Sequence, residues 1–408
     1  MTKPQHHEIV VIGAGICGAS IANELLLRGK SVCIVDAASS PATACSKHEY
    51  AIAHPHIGKG SPRLLRLTRI AFLMAEARWG KTWSQHGIFQ PSKKDKHFDR
   101  LEVSNYLKSL DLDDDIAVAL DAEEAEKICG VKQSGVWLPR GASLSLFEAS
   151  KALLQDHDRL TYMWNTEVTG LEKSGEVWLL VNQDGKAILS ADKVVVAAAM
   201  DSKPLIASIG VRLPLKPVRG QLSIFSIKAG DAWVKKLPGV GLSGDGYCLP
   251  AQQLEDGSYR WMVGSSFDEG EDDLIAREDS DQFNRMQALG LLAYPDGDLS
   301  ALTKAGDFVG VRCVAGDRLP IIGALTQRPG IFVATALGSR GILWSALAAK
   351  LITAQVLGDD FALLARLGFA ADLVAALAPA RFLAGALAVP AALASNSKPI
   401  LPSAPRAR

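Results

Sequence analysis

The sequence predicts an α/β protein in which a Rossmann-like nucleotide-binding domain is assembled from discontinuous segments, beside an α+β domain built on an antiparallel sheet. Three observations lead there. The chain opens with a βαβ unit containing a glycine-rich turn. The regular strand–helix alternation stops at Asp36. Two further short apolar runs, Lys193–Ala198 and Gly330–Thr335, then appear far along the chain.

Taken in order, Glu8–Ile12 is a β-branched run ending at Gly13. Ala19–Arg28 carries Ile21, Ala22, Leu25 and Leu26 at helical spacing before Gly29 ends it. Ser31–Val35 is a second strand, closed by Asp36. Short, wholly apolar strands of this kind belong in a parallel sheet covered on both faces. Ala37–Ser46 is rich in Ser, Ala, Thr and Pro, whereas a contiguous nicotinamide-binding domain would continue its alternation. The nucleotide-binding domain is therefore expected to comprise residues 1–60, 141–204 and 312–387. Residues 61–140 are expected to be mostly helical and charged, with Pro91–Arg100 as a solvated loop. Within 205–311, Gly220–Phe225, Tyr247–Pro250 and Arg260–Ser265 read as antiparallel strands separated by turn residues. These two inserts form the second domain. The Pro-, Ala- and Ser-rich tail, 388–408, is expected to be disordered.

Composition bounds the function. The 408 residues are 48% hydrophobic, ample for a core, and 44 basic residues balance 44 acidic ones. A neutral chain offers no global field to a nucleic acid or an acidic membrane, so such a partner needs a local patch. The N-terminal apolar run begins only at Ile9 and breaks at Gly13, so no signal-peptide core fits. The longest apolar candidate, Leu337–Leu357, contains Ser339, Arg340 and Lys350. A cytoplasmic protein without a membrane partner is expected. Six cysteines are scattered without a C-x-x-C pair, which fits reduced thiols and neither disulfides nor zinc.

Gly13-Ala14-Gly15-Ile16-Cys17-Gly18 is G-x-G-x-x-G between a strand and a helix. Gly13 permits the tight turn, Gly15 lets backbone approach a pyrophosphate, and Gly18 allows close helix–sheet packing. The helix N-terminus then offers N–H groups to the phosphates. Asp36 ends the second strand, where a carboxylate accepts from an adenosine ribose hydroxyl and would repel a 2′-phosphate. The C-terminal third holds a second glycine-flanked helix start, Ala336-Leu337-Gly338-Ser339-Arg340-Gly341, ahead of helix Ile342–Leu357. Such a terminus can stabilise the negative charge of a reduced flavin. It can equally be an ordinary strand–helix turn, and the residues alone leave both open.

The glycine motif with Asp36, the string R-C-x-x-x-D-x-L-P-x-x-G from Arg312 to Gly323, and Ala336–Gly341 together resemble the D-amino-acid-oxidase-like flavoprotein superfamily. Within it, the sequence resembles the FAD-dependent oxidase domain of the bifunctional proteins that make 5-methylaminomethyl-2-thiouridine in tRNA. Pro379-Ala380-Arg381-Phe382-Leu383 resembles the characteristic ending of that family, and the likeness spans roughly residues 8–385. The resemblance implies non-covalent FAD held by Gly13, Ala14, Gly15, Ile16, Cys17, Gly18, Asp36, Ala37, Ser46, Val168, Ala199, Gly338, Ser339, Arg340, Gly341 and Ile342. It implies oxidation of carboxymethylaminomethyl-uridine at the tRNA wobble position to aminomethyl-uridine and glyoxylate. Arg312 is the expected carboxylate anchor, Tyr247 stands where related oxidases place a substrate-contacting tyrosine, and Arg340 faces flavin or substrate.

Two departures matter. The family carries a methyltransferase ahead of the oxidase, so this chain resembles a stand-alone oxidase half, with tRNA as substrate and a separate methyltransferase acting next. The family's S-G-N loop matches only as Ser46-Lys47-His48. Cys313, beside Arg312, raises covalent flavin attachment as in sarcosine oxidases, but the family carries the same Arg-Cys without that bond. His48, Glu49, His54 and His56 cluster in sequence without a second ligand pair, so no metal is expected. Arg63, Arg66 and Arg69, with Lys93, Lys94, Lys96 and Arg100, are candidate phosphate contacts or simply solvated faces. An oxidase of glycine, sarcosine or another small amine would use the same site, and a dinucleotide-binding protein without catalysis would use only the glycine motif.

Overall fold

A computed structural model describes residues 4–58, 60–93, 97–155, 157–294, 297, 299, 302–359, 365–366 and 368–383. Lys94, Lys96 and the tail 388–408 lie outside the described residues. The chain builds two large sheets and a small three-stranded one.

The first sheet is parallel at its centre. Strand Gln5–Ile12 pairs with Val32–Val35 on one side and Ala187–Val196 on the other. Leu160–Met163 extends the sheet beyond Val32–Val35, and Ile331–Thr335 extends it beyond Ala187–Val196. An antiparallel strand, Ile321–Ala324, closes the edge. Val32–Val35 and Ile331–Thr335 are buried throughout because both faces are covered. Ile9, Val11 and Ile34 pack under helices Ile16–Leu27 and Gly341–Leu357. Val10, Ile12, Cys33 and Val35 face the opposite core with Trp178, Leu205 and Ile206. The helical face is tied by Glu24, which is buried at 5% exposure and ion-paired to Arg78 and to Lys350, the latter at 2.6 Å.

The second sheet has ten strands. Its spine is Leu215–Ile227, paired along its length with Thr303–Ala315 and on the other side with Tyr259–Gly264. Alternation gives it two faces. Gln221, Ser223 and Phe225 turn toward helix Glu278–Leu291, where Asn284 bonds Gln221 O and Ser223 Oγ. Leu222, Ile224 and Met262 turn the other way and meet Tyr50, Tyr247 and Phe308.

Two expectations need correction. Residues 61–140 contain helices Pro62–Trp79, Arg100–Ser109 and Ala122–Cys129, but Ile88–Pro91, Val118–Leu120 and Gly135–Leu138 are strands that extend the second sheet. Runs of three or four residues are too short to show a period. The expected boundary between residues 311 and 312 falls inside strand Thr303–Ala315, so Arg312 belongs to the second sheet.

Candidate active site

The glycine-rich turn has the geometry its spacing demands. Gly13 adopts φ +102°, donates to Val35 O, and a Cβ there would lie 2.6 Å from Ala197 O. A Cβ on Gly18 would stand 1.8 Å from Gly13 O, so turn and helix touch backbone to backbone. Gly15 opens the helix without a side chain of its own. Ser46 supplies the cap instead, its Oγ accepting from Ile16 N at 3.0 Å. Asp36 accepts from Ala14 N at 2.6 Å and Ala38 N at 2.8 Å, which fixes the carboxylate at the strand end. The side chains of Ala14, Ile16 and Cys17 are buried in the core, and burial pushes the Cys17 thiol up to about 12. These three residues can therefore meet a cofactor only through backbone.

Ala37 is exposed beside Asp36, and Val168 is buried in the loop that follows Leu160–Met163. Thr166 N donates to Asp36 O, which holds that loop against the strand end. Ala199 is exposed, with its carbonyl accepting from Thr335 Oγ1 at 2.8 Å. Gly338 adopts φ +54° and donates to Cys313 O; Ser339 is exposed and Ile342 is buried. A Cβ on Gly341 would lie 4.0 Å from Ile16 Cγ2, so the two glycine-flanked helix starts converge. A bare backbone cradle, two adjacent helix N-termini and a fixed carboxylate fit a dinucleotide such as FAD.

The loop that carries Ser46 also meets the ten-stranded sheet, Cys45 Sγ donating to Val311 O at 2.8 Å beside Arg312. Arg312 lies against Gly220, where a Cβ would come within 2.1 Å of its Nη1, so only glycine leaves room for the guanidinium. It donates to Ser265 Oγ at 2.5 Å, Ser266 O at 3.3 Å and Arg219 O at 3.4 Å, and sits over the Phe267 ring. Among the described residues it forms no ion pair. The side chain is half-buried by accessible surface yet set deep enough that burial lowers its pKa. Arg219, on the other face, is fully buried and paired with Asp268 at 2.8 Å. Of five N–H groups on Arg312, those three bonds leave one on Nη2 and one on Nε. Cys313 faces the opposite way, into the core against Thr335 Oγ1.

Tyr247, opposite Gly264, bonds through its hydroxyl to His48 Nε2 at 2.9 Å. His48 Nδ1 accepts from Tyr50 N at 3.0 Å, so the neutral ring carries its proton on Nε2 and donates it to Tyr247. The Tyr247 proton is then directed elsewhere. Burial and the nearby Arg312 push His48 down to about 3, and burial raises Tyr247 above the usual phenol range. Arg340 caps helix Gly341–Leu357, pairs with His56 Nδ1 at 3.0 Å and forms no ion pair among the described residues; burial lowers its pKa. His54 bonds Ser243 at 3.0 Å. The three histidines thus diverge to different partners, and no group of metal-ligating side chains occurs among the described residues.

His48, Gly220 and Ser265 are the contributors the sequence reading missed. The mismatch at S-G-N was the one visible signal, marking His48 as unusual. The basic candidates fare differently. Arg66 pairs with Asp372, Arg69 donates to Asp111 O, Lys93 pairs with Asp245 and Arg100 with Glu124, while Arg63 is exposed. Among the described residues, four of these five basic groups are thus already engaged. No described helix is long and apolar enough to cross a membrane. Near the C-terminus, Arg381 pairs with Asp317 at 2.8 Å and donates to Leu319 O, tying the Pro379–Leu383 string to the Arg312 string.

Residues 8–355 match the family described as FAD dependent oxidoreductase (DAO). The chain belongs to this family. The DAO fold recurs in glycine oxidase from Geobacillus kaustophilus, with TM-score 0.71, 19% identity, and 87% of this chain and 96% of that one covered. It also recurs in the FAD-bound L-alpha-glycerophosphate oxidase of Mycoplasma pneumoniae, with TM-score 0.73, 16% identity and the same coverage. Among DAO relatives by sequence, the tRNA 5-methylaminomethyl-2-thiouridine biosynthesis bifunctional protein MnmC of Ralstonia nicotianae is 31% identical over 420 residues, covering 94% of this chain and 61% of the relative. That of Burkholderia pseudomallei is 32% identical over 418 residues, covering 93% and 60%. The chain thus spans about three-fifths of the length of these relatives.

Proposed function

We propose that this FAD-dependent oxidoreductase oxidises the carboxymethylaminomethyl group of wobble uridine in tRNA, leaving aminomethyl-uridine and releasing glyoxylate. The sequence relatives supply the substrate class. The observation that carries the reading is Arg312: a cation set deep, left partly open, hydrogen-bonded to neutral oxygens and without an ion-paired carboxylate among the described residues. Such a group is costly to desolvate unless an anion completes it. The substrate carboxylate does so through the two remaining N–H groups, and the Tyr247 hydroxyl, its oxygen already accepting from His48, donates its proton to the same carboxylate.

The reacting amine must be neutral. His48, at about 3, cannot take its proton at neutral pH. Arg340 does the work electrostatically, because a cation in the site that no carboxylate among the described residues balances disfavours an ammonium and lowers the pKa of the bound amine, so its proton leaves to solvent. Bound FAD, held by the backbone of Gly13–Gly18, Asp36 and the Gly338–Ile342 loop, supplies the two-electron acceptor. The resulting substrate imine is hydrolysed by water to the primary amine and glyoxylate. In this reading the second sheet is the substrate domain, a methyltransferase activity acts next on the amine product, and the reaction belongs to the cytoplasm.

A second reading, oxidation of glycine or sarcosine, is favoured by the fold likeness to glycine oxidase, since Arg312 and Tyr247 would bind any amino-acid carboxylate. Anaerobic bleaching of the flavin absorbance decides between them. Bleaching by tRNA carrying carboxymethylaminomethyl-uridine, and not by glycine or sarcosine, supports the leading reading. Bleaching by the small amines alone overturns it.

A further inference from the structure

Beside the Arg312 site, where the second sheet meets the small sheet, lies a cavity of about 170 Å³ that the catalytic reading leaves unused. We propose that it is a subsite for the pyrimidine ring of the substrate nucleoside, an inference that rests on the tRNA reading above. Its position follows from strand geometry. Along Tyr259–Gly264, residues Gly264, Met262 and Arg260 share one face at spacings of about 6.7 Å. Gly264 stands opposite Tyr247, Met262 packs with Tyr50 and Tyr247, and Met262 and Arg260 line the cavity. A substrate held by its carboxylate at Arg312 and Tyr247 would reach this space by extending one residue pair along the strand, past the Met262 side chain.

Size and lining agree. A cavity near 150 Å³ accommodates one six-membered ring, so this one takes a pyrimidine without its ribose. Tyr50 offers a ring face for stacking, and the Gln252 amide offers both a donor and an acceptor to the imide edge of uracil. The wall is already ordered. His86 bonds Ser143 Oγ at 3.0 Å and Gly87 O at 2.8 Å, and Glu49 holds Arg260 at 2.5 Å. Glycine or sarcosine, ending at the amine or its methyl group, would leave this cavity empty.

The test uses FAD-loaded enzyme and two variants, Gln252→Trp, which fills the cavity, and Tyr50→Leu, which removes the stacking face. Two quantities are read: binding of 5-aminomethyluridine, followed through the flavin absorbance, and the ratio of kcat/KM for modified tRNA to that for sarcosine. The proposal expects each variant to weaken nucleoside binding and lower the ratio by about tenfold to a hundredfold, the range carried by base stacking. Unchanged nucleoside binding, or loss of both substrates in proportion, overturns it. If the wild type oxidises sarcosine and never tRNA, the wobble reading fails. The nucleoside titration then decides the cavity alone: tight binding lost in Gln252→Trp upholds it, and no binding to the wild type refutes it.

Discussion

Replacing Arg312 with Met separates a ligand anchor from a structural cation by the sign of two effects. The guanidinium has no carboxylate partner among the described residues, its three hydrogen bonds go to neutral oxygens, and burial lowers its pKa. Met, of similar length and without charge, removes this burden and keeps the packing against Phe267. The three oxygens lose hydrogen bonds from a charged donor worth about 1.5–3 kcal/mol each, set against relief of a desolvation cost of several kcal/mol, so unfolding free energy in urea should move by less than about 3 kcal/mol. A structural ion-pair member would instead cost about 3–5 kcal/mol. Substrate binding should suffer where stability does not. A bidentate charge-assisted contact contributes about 2–4 kcal/mol, so the substrate concentration for half-maximal anaerobic flavin bleaching should rise about 30-fold to 1,000-fold. Arg312→Lys, with charge but no fork, should fall between. Unchanged concentration dependence, or a stability loss above about 3 kcal/mol, would refute the assignment.

Further outcomes follow from other parts of the structure. Gly18→Ala places a methyl 1.8 Å from Gly13 O and should yield protein depleted of FAD, read from the ratio of absorbance at the flavin band to that of the protein. Glu24→Ala leaves Arg78 buried without its anion and should lower unfolding free energy by about 3–5 kcal/mol in a denaturant titration. Because a cation rather than a side-chain base keeps the amine neutral, kcat/KM should rise with pH toward the pKa of the free substrate amine, and His48→Asn should leave the position of that limb unmoved. For stability the sign is set by His48 and His54, held down to about 3 and about 4 mainly by burial. The unfolded chain takes up these protons near pH 6.5, before the folded one can, so stability is full above that pH. It falls as the solution is acidified, by up to about 1.4 kcal/mol per pH unit for each such ring, His7 and His86 being held down by burial as well, and His48→Asn should remove one ring's share of the slope.

The glycine turn was readable because its chemistry is local: Gly13, Gly15 and Gly18 answer to constraints only a few residues away. The buried runs Ile9–Ile12 and Val32–Val35 beside it were readable for the same reason, being wholly apolar. What escaped was non-local. The Arg312–Gly323 string reads as one unit, yet Arg312 and Cys313 point to opposite faces of a strand, one into the cleft and one into the core. Arg66 looked free because Asp372 lies 306 residues away, and Lys93 because Asp245 lies 152 away. His48 meets Tyr247 across 199 residues, so spacing within the loop, which argued against a metal, could not show the hydrogen bond the fold builds there.

The interleaved path of the chain also sets an order of events in synthesis. The glycine turn is made well before its backing strand, Ala187–Val196, and the neighbouring helix start at Gly341, and Arg381 follows later still. Contacts so distant in sequence close slowly. A nascent chain must therefore wait, with an exposed hydrophobic strand and no cofactor, until the helix start at Gly341 has been made. Supply of FAD then acts only once these distant segments have met, and scarcity of the cofactor would be felt as turnover of the polypeptide before it was felt as lost catalysis.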